Sequence, residues 1–233
     1  MFQRVTRKNI APKIALQGVS GSGKTFSALR FARGYVGAEG RIAVIDTENG
    51  SASLYSNVTD FDVVNIRPKQ RGETISFWWA DFEEAISAAE KENYDFLIID
   101  SASHIWQATL DFKARLDKQG GNSFTNWGSA GLQFSAVQNR ILQTSLPVLC
   151  CFRTKVEYVL EENEKGKQAP RKVGFAPITR GDAEYDFSIV FDVGRNHEAT
   201  VSKTRCSAFG DDFNQIITEE TGRTLRNWID ELQ

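Results

Sequence analysis

The sequence predicts an α/β fold in which a mostly parallel, twisted sheet has helices on both faces and a late antiparallel hairpin. The first observation is a glycine-rich loop at 18–25, which lies between a short apolar run and a segment of helical character. The second is a series of apolar runs that end in a charged residue, a pattern typical of buried parallel strands. The third is that helical segments separate these runs, as the crossovers of a parallel sheet require.

Each element follows from its own residue pattern. Apolar runs predict strands at 13–17, 41–46, 61–66, 94–101, 146–153, 187–193 and 198–203. Apolar residues three and four positions apart predict a helix that starts at Thr25 and ends near Gly34 or Gly37, and further helices at 76–93, 104–117, 127–144 and 225–232. Because only residues 194–197 separate the last two strands, these strands form an antiparallel pair.

The size of the chain predicts one domain. It has 233 residues, of which 41% are hydrophobic, and this is enough for one well-buried core. We therefore expect a single domain over 1–233, with a basic N-terminal arm at 1–12. A hairpin-like insertion at 154–180 departs from the alternation of strands and helices. It holds six Lys/Arg and four Glu, hence a charge of +2 (6 − 4). Both a solvated hairpin and a loop that contacts a polymer or another subunit fit this composition.

Charge and composition exclude several classes of protein. The formal net charge is −2, so the chain as a whole is not a nucleic-acid-coating protein, although local basic patches remain possible. We expect no membrane partner, because no run of about 18 apolar residues is present. Residues 1–4 have no apolar signal region, and the three cysteines are too few for a disulfide framework. These features favour the cytoplasm.

The glycine-rich loop matches the phosphate-binding pattern G-x-x-x-x-G-K-[ST] at every fixed position. Glycines let the backbone fold tightly around phosphates, so that several N–H groups point inward. The following helix adds unpaired N–H donors and a partial positive charge. The lysine would reach the β- and γ-phosphates and the threonine hydroxyl would ligate Mg²⁺, so we expect ATP and Mg²⁺ as cofactors. The residues expected to bind the nucleotide are Gly18, Val19, Ser20, Gly21, Ser22, Gly23, Lys24 and Thr25.

Acidic residues lie at or just beyond the ends of two predicted strands. Asp100 follows four apolar residues, which is the Walker B form, and it would hold Mg²⁺ opposite Thr25. Glu48 comes two residues after the strand at 41–46. Ligands of open α/β sheets lie outside the carboxyl ends of the strands, so Glu48 is predicted at the edge that faces the nucleotide.

Basic residues follow two later strands. The strand at 146–153 delivers Arg153 to the nucleotide edge, where a charged group can sense the γ-phosphate or couple it to a loop. Lys203 and Arg205 follow the last strand and are candidates to reach the nucleotide of a neighbouring subunit. Ordinary surface charge fits these two residues equally well.

Taken in order, these features resemble the RecA-like ATPase core. The chain looks more narrowly like the small phage-borne ATP-binding proteins of the AAA-24 type, which overlap with the RecA-core single-strand annealing proteins of phage recombination. The resemblance covers most of 10–210. The segments that carry it lie at 42–48, 121–124, 155–163 and 201–206.

The resemblance implies roles for individual residues. Glu48 would polarise the attacking water, and Asp100 would organise Mg²⁺. Arg153 stands where the family has a polar residue that senses the γ-phosphate. Lys203 and Arg205 resemble the lysine and arginine that neighbouring subunits insert in trans, so the resemblance implies a homo-oligomer.

The resemblance also implies partners. The loops at 118–126 and 154–180 lie where RecA-like proteins contact single-stranded DNA. A single-strand binding protein is a further candidate partner, and a phage-encoded chain would work in the host cytoplasm.

Three functions are therefore open. The favoured one is a Mg²⁺-dependent ATPase, slow alone and stimulated by oligomerisation or DNA, that acts on single-stranded DNA in phage recombination or replication as an annealing-type protein. The second is a nucleotide-switched interaction protein that serves a replication or packaging partner without touching DNA. The third is a small-molecule kinase, which the phosphate-binding loop permits.

Overall fold

A computed structural model describes residues 7, 10–66, 77–162 and 168–231. The described strands are β1 (Lys13–Gly18), β2 (Ile42–Asp46), β3 (Asp62–Asn65), β4 (Phe96–Asp100), β5 (Val148–Glu162), β6 (Gln168–Pro177), β7 (Ile189–Val193), β8 (Glu198–Thr204) and β9 (Asn214–Ile216). The helices are α1 (Lys24–Val36), α2 (Phe77–Lys91), α3 (Ser103–Gln119), α4 (Ser123–Gln143) and α5 (Glu219–Asp230). Most of the predicted N-terminal arm at 1–12 lies outside the described residues.

The strands form one sheet in the order β3-β2-β4-β5-β1-β7-β8-β9, and β6 pairs with β5 away from this row. The strands from β3 to β7 in this order run parallel, whereas β8 is antiparallel to β7 and β9 is antiparallel to β8. Strand β1 therefore has β5, β4, β2 and β3 on one side and β7, β8 and β9 on the other. The predicted mostly parallel α/β sheet with a late antiparallel pair is confirmed.

The sheet is covered on both faces because its central strands are apolar on both sides. In β1, Ile14 and Leu16 pack into one hydrophobic layer with α1 and α5, and Ala15 packs into the other with α2 and α4. Cys150 and Cys151 are buried in β5, as their apolar surroundings predict. None of the described helices is long and apolar enough to cross a membrane.

Helices α1 and α5 touch through their backbones. A Cβ atom on Gly34 would stand 1.8 Å from the carbonyl oxygen of Glu219, and one on Gly222 would stand 2.0 Å from that of Phe31. Only glycine permits this approach. The contact fixes α5 across the helix that follows the phosphate-binding loop.

Two helices begin earlier than their apolar spacing predicts. Helix α4 begins at Ser123, because the Asn122 side chain accepts a hydrogen bond from the Phe124 N–H and caps it. Helix α5 begins at Glu219, where Thr218 and Thr221 form a reciprocal capping box. The loop predicted over 118–126 is therefore only the turn 120–122 between two helices.

The α3–α4 helical hairpin extends beyond the sheet. The buried residues of α3 end at Thr109, and those of α4 begin at Ala130. Helix α3 starts at the carboxyl end of β4, and α4 leads to the amino end of β5. The stretch from Ala130 to Ile141 rises about 16 Å, close to the length of a five-residue strand. The earlier part of α4 therefore projects past the carboxyl edge of the sheet.

A second hairpin projects from the same edge. Strand β5 is buried from Val148 to Phe152 and then continues without a break to Glu162. It pairs antiparallel with β6 from Thr154 onward. Within the span 154–180, where a hairpin-like insertion is predicted, the described residues 154–162 and 168–177 pair antiparallel, and the first arm is the continuation of the buried strand and not a separate element. Residues 163–167 lie outside the described part.

Candidate functional site

The loop at 18–25 connects β1 to α1 as its motif predicts. Gly21 and Gly23 have φ values of +79° and +89°, in the left-handed region that favours glycine. A Cβ on Gly18 would stand 2.5 Å from Ser22 Oγ and 2.7 Å from the Val193 carbonyl oxygen. The loop is thus a tight cradle at the amino end of α1.

Lys24 is the first residue of α1, and its side chain folds back over the loop. The residue is only 9% exposed, and its ammonium donates to the carbonyl oxygens of Gly18 (3.0 Å) and Val19 (2.9 Å). The positive charge is therefore held within the cradle, where phosphate would be bound.

Thr25 and Asp100 meet although they lie on different elements. The Thr25 hydroxyl donates to Asp100 Oδ2 at 2.5 Å. Asp100 ends β4, two strands away from β1, and is 2% exposed. Burial raises the pKa of Asp100 to about 6, while the Thr25 hydroxyl and the Lys24 ammonium act in the opposite direction. A buried carboxylate beside a hydroxyl is the oxygen donor set that Mg²⁺ prefers.

Glu48 and Arg153 form an ion pair at the same edge. Arg153 Nε donates to Glu48 Oε1 at 2.8 Å, and Nη2 lies 2.8 Å from the same oxygen. In the sheet, Arg153 is the register partner of Gly18. The structure thus brings both predicted residues to the edge where the phosphate-binding loop lies.

Asp46 shapes the turn that carries Glu48. One of its oxygens accepts the Glu48 N–H at 2.5 Å, and the other accepts the Ala52 N–H at 2.8 Å. In the sequence, Asp46 is only the last residue of the strand predicted at 41–46. Its role as a cap depends on the turn geometry, which only the structure shows.

A buried network ties the end of β2 to the end of β4. The Thr47 hydroxyl donates to the Ser101 carbonyl at 3.0 Å and accepts the Ser101 N–H at 2.9 Å. His104 Nδ1 lies 2.7 Å from the same hydroxyl. Burial lowers the pKa of His104, and the nearby Arg153 charge lowers it further. The neutral His104 ring therefore stabilises the hydrogen bonds between Thr47 and Ser101. These bonds hold Glu48, which follows Thr47, near Asp100, which precedes Ser101.

An aromatic pair beside the loop was not predicted. Phe26 follows Thr25 and is 39% exposed, and its ring centre lies 6.4 Å from that of half-buried Tyr55. Tyr55 lies in a short helical turn seven residues after Glu48. No local motif marks such a pair, because the two rings meet only through the fold.

Lys203 and Arg205 do not join this cluster. Strand β8 runs antiparallel to β7, so its carboxyl end lies at the amino edge of the parallel strands. There Lys203 donates to the carbonyl oxygens of Glu184 (2.8 Å) and Tyr185 (2.6 Å), and Arg205 donates to that of Tyr185 (3.3 Å). These cations therefore lie at the edge opposite this chain's own phosphate-binding loop. Their action on a neighbour's nucleotide stays a prediction.

The residues of the site fit Mg²⁺-ATP. The cradle needs glycine at Gly21 and Gly23, where φ is positive, and at Gly18, where a Cβ would clash. Ser22 Oγ is buried without a hydrogen-bond partner in the described structure. The donor set of Thr25 and Asp100 suits a hard cation.

One solved structure and one family model are similar to this chain. A KaiC-like protein from the hyperthermophilic archaeon Pyrococcus horikoshii OT3 has a similar structure, with 13% sequence identity, a TM-score of 0.49, and coverage of 87% of this chain and 84% of that one. No curated protein matches the chain. The family model AAA_24, described as an AAA domain, matches residues 10–211. The fold is that of a RecA-like P-loop ATPase, and the chain belongs to the AAA_24 family.

Proposed function

We propose that this protein is a Mg²⁺-dependent ATPase that assembles as a homo-oligomer on single-stranded DNA, as an annealing-type protein of phage recombination or replication. One observation carries the proposal. The strand that delivers Arg153 to Glu48 continues directly into the β5–β6 hairpin, so one continuous strand connects the nucleotide site to a projecting hairpin.

Each residue of the site has a defined task in this mechanism. The N–H groups of the loop and Lys24 bind the triphosphate, and Thr25 and Asp100 would hold the metal. Mg²⁺ supplies neutralisation of charge on the phosphate oxygens. Glu48 would orient the attacking water and accept its proton through Oε2, because both Arg153 nitrogens contact the other carboxylate oxygen, Oε1.

The positions of Lys203 and Arg205 support action between subunits. They lie at the amino edge, whereas the nucleotide cradle lies at the carboxyl edge. A head-to-tail arrangement of subunits would bring the amino edge of one to the carboxyl edge of the next. An arginine supplied in this way raises turnover by about 10³–10⁵ where it acts. The monomer is accordingly expected to be a poor ATPase.

Two projections of the carboxyl edge support a polymer-binding surface. The tip of the α3–α4 hairpin presents Phe124, which is 85% exposed, and Trp127, which stacks on Trp106 and lies under Lys113. Exposed aromatic rings beside cations stack bases and bind the phosphate backbone. The β5–β6 hairpin is the second projection, and the sequence of the span 154–180, to which both strands contribute, has a charge of +2 (6 − 4).

The aromatic pair Phe26 and Tyr55 is suited to the base of the nucleotide. It lies at the first turn of α1, directly beyond the residue that would ligate the metal. An aromatic face accepts any base, so the pair adds affinity without strict selection.

ATP turnover with and without a single-stranded oligonucleotide tests the proposal. We expect slow turnover of the protein alone, stimulation by the oligonucleotide, and larger particles in light scattering when an ATP analogue and DNA are present. DNA affinity, measured by fluorescence anisotropy, should fall as salt rises. Absence of DNA binding at low salt, with or without nucleotide, would refute the DNA part of the proposal.

A nucleotide-switched interaction protein is the second candidate. The net charge of −2 favours this function, because a chain with a slight negative net charge has no overall electrostatic attraction to the phosphates of DNA. ATP would then order the two projections for a protein partner. Nucleotide binding together with absent DNA binding, and capture of a replication or packaging partner only with ATP, would select this function.

A further inference from the structure

The turn between β7 and β8 places one side chain, that of His197, on the phosphate-binding loop. Strand β7 pairs in parallel with β1, so that Val193 lies beside Gly18 at the start of the loop. Within the turn, the Gly194 N–H donates to the Glu198 carbonyl at 2.8 Å, and the His197 N–H donates to the Gly194 carbonyl at 3.1 Å. The sheet and the turn together hold His197 against the loop.

The contact is a hydrogen bond to the main chain. His197 Nδ1 lies 3.0 Å from the carbonyl oxygen of Ser22. A carbonyl oxygen can only accept, so Nδ1 carries a proton in this contact. The same nitrogen lies 3.1 Å from the place where a Cβ on Gly23 would stand. The imidazole therefore covers the two residues that precede Lys24.

His197 has an unusual backbone conformation for this contact. Its φ is +68°, in the left-handed region, where residues other than glycine are uncommon and Asn, Asp and His are the main exceptions. Such a conformation persists where the surrounding structure fixes it. The Ser22 hydroxyl has no hydrogen-bond partner in the described part of the chain, so it does not fix the loop itself.

The bond to Ser22 controls a neighbouring N–H. In a trans peptide, the carbonyl of Ser22 and the N–H of Gly23 lie in one rigid plane and point in opposite directions. A bond that holds the Ser22 oxygen toward the turn therefore directs the Gly23 N–H away from it. Gly23 is the N-cap of α1, where free N–H groups bind phosphate.

We propose that His197 is a positioning residue of the nucleotide site, which fixes the Ser22–Gly23 peptide and so preorganises the loop for the triphosphate. This inference rests on the proposed ATP binding. It adds to the site a residue about 170 positions beyond the motif, on an element that does not belong to it.

Three variants separate the hydrogen bond from the backbone conformation. His197→Gly accepts the left-handed backbone but has no donor. His197→Asn also accepts this backbone, and its amide nitrogen takes the place of Nδ1. His197→Gln carries its amide one carbon further out. We would measure the Kd of a fluorescent ATP analogue with Mg²⁺, kcat and KM for ATP, the thermal midpoint, and the order parameter of the Gly23 N–H by ¹⁵N relaxation without nucleotide.

We expect His197→Gly to weaken binding of the analogue by about five- to tenfold, as loss of one neutral hydrogen bond predicts. Kd and KM should rise more than kcat falls. His197→Asn should restore most of the lost affinity for the analogue, whereas His197→Gln should not. The order parameter of the Gly23 N–H should fall in His197→Gly and return toward the wild-type value in His197→Asn.

Equal Kd values for the wild type and His197→Gly would overturn the proposal. So would a loss of affinity in all three variants that follows their thermal midpoints, because that pattern indicates a structural role only. If the wild type binds no nucleotide, the proposed function fails. In that case the order parameter of the Gly23 N–H still tests whether His197 fixes this peptide, and an unchanged order parameter in His197→Gly would refute it.

Discussion

Two nitrogens of Arg153, Nε and Nη2, each lie 2.8 Å from one carboxylate oxygen of Glu48. The pair joins the end of β2 to β5 across β4, which lies between them in the sheet. The residue expected to activate water is thus held by a residue whose strand continues into the projecting hairpin. The proposed coupling between nucleotide and DNA depends on this pair.

Glu48→Gln tests the role of this carboxylate in hydrolysis. Glutamine keeps an oxygen that can accept from Arg153, so the site should stay intact and nucleotide affinity should change little. It cannot accept a proton from water, and turnover should fall by about 10²–10⁴. Calorimetry and a phosphate-release assay measure the two effects. Glu39→Gln, an exposed glutamate after α1, is the control, and undiminished turnover in Glu48→Gln would remove the residue from the mechanism.

Mixed oligomers test whether Arg205 acts in trans. Arg205→Ala should lose turnover without losing nucleotide affinity, because it removes the cation offered to the neighbour's nucleotide. Glu48→Gln should also lose turnover and keep its affinity, because it removes the group that accepts the proton from water. In an equal mixture, roughly a quarter of the interfaces would combine an intact Glu48 with a neighbour's intact Arg205, and turnover should recover to that extent.

The control mixture combines Lys24→Ala with Glu48→Gln. Both residues act within one subunit's site, so this mixture should stay inactive. Failure of the first mixture to recover, with both variants shown to form mixed particles, would contradict a finger supplied by the neighbour. Wild-type turnover in Arg205→Ala alone would have the same meaning.

Tyr55→Ala tests the proposed base site. Loss of one stacking ring costs about 1–3 kcal/mol, so affinity for ATP should fall by roughly 5- to 100-fold. Affinity for inorganic triphosphate, which has no base, should stay the same in competition experiments. An equal loss for both ligands would show that Tyr55 supports the loop and does not contact the base.

Gly222→Ala tests the contact between α1 and α5. The new Cβ would stand 2.0 Å from the Phe31 carbonyl oxygen, so the helices must separate. We expect a loss of about 3 kcal/mol or more in the free energy of unfolding, measured by denaturant titration. Gly128→Ala is the matched control, since a Cβ there meets nothing within 4 Å in helix α4. It should stabilise by about 0.5–1 kcal/mol.

The contacts of Glu90 predict that the stability of the fold depends on pH. Its carboxylate accepts from Arg140 Nη2 at 2.7 Å and from the Thr144 hydroxyl, and these contacts lower its pKa to about 2. A carboxyl whose pKa is lower in the folded state stabilises the fold above its unfolded pKa of 4.5. This stabilisation is lost as the pH falls from about 5 toward 2.

The Glu90→Gln variant measures this contribution. Its free energy of unfolding at neutral pH should be about 1–2 kcal/mol lower, and it should change less between pH 5 and 3 than that of the wild type. Glu83→Gln, on the exposed side of the same helix, should keep the wild-type profile. An identical acid profile in Glu90→Gln and the wild type would show that the pair contributes nothing.

The local patterns of the sequence predicted much of the fold. The strand predicted at 13–17 is β1 (Lys13–Gly18), and that at 41–46 is β2 (Ile42–Asp46). These agree because a continuous apolar run between turn residues has few alternatives. The starts of α4 and α5 were missed, because their first turns are polar and their caps act through side-chain bonds that apolar spacing does not report.

By itself the sequence determined the phosphate-binding loop, its flanking strand and helix, and the acids that end two later strands. These features depend on residues close together in the chain, and their geometry is set by glycine conformation and apolar periodicity. The tertiary structure decided what meets at the loop: Thr25 with Asp100, Glu48 with Arg153, and Ser22 with His197. It also placed Lys203 and Arg205 at the opposite edge. Strand order and register set these pairings, and both depend on contacts between residues far apart in the chain.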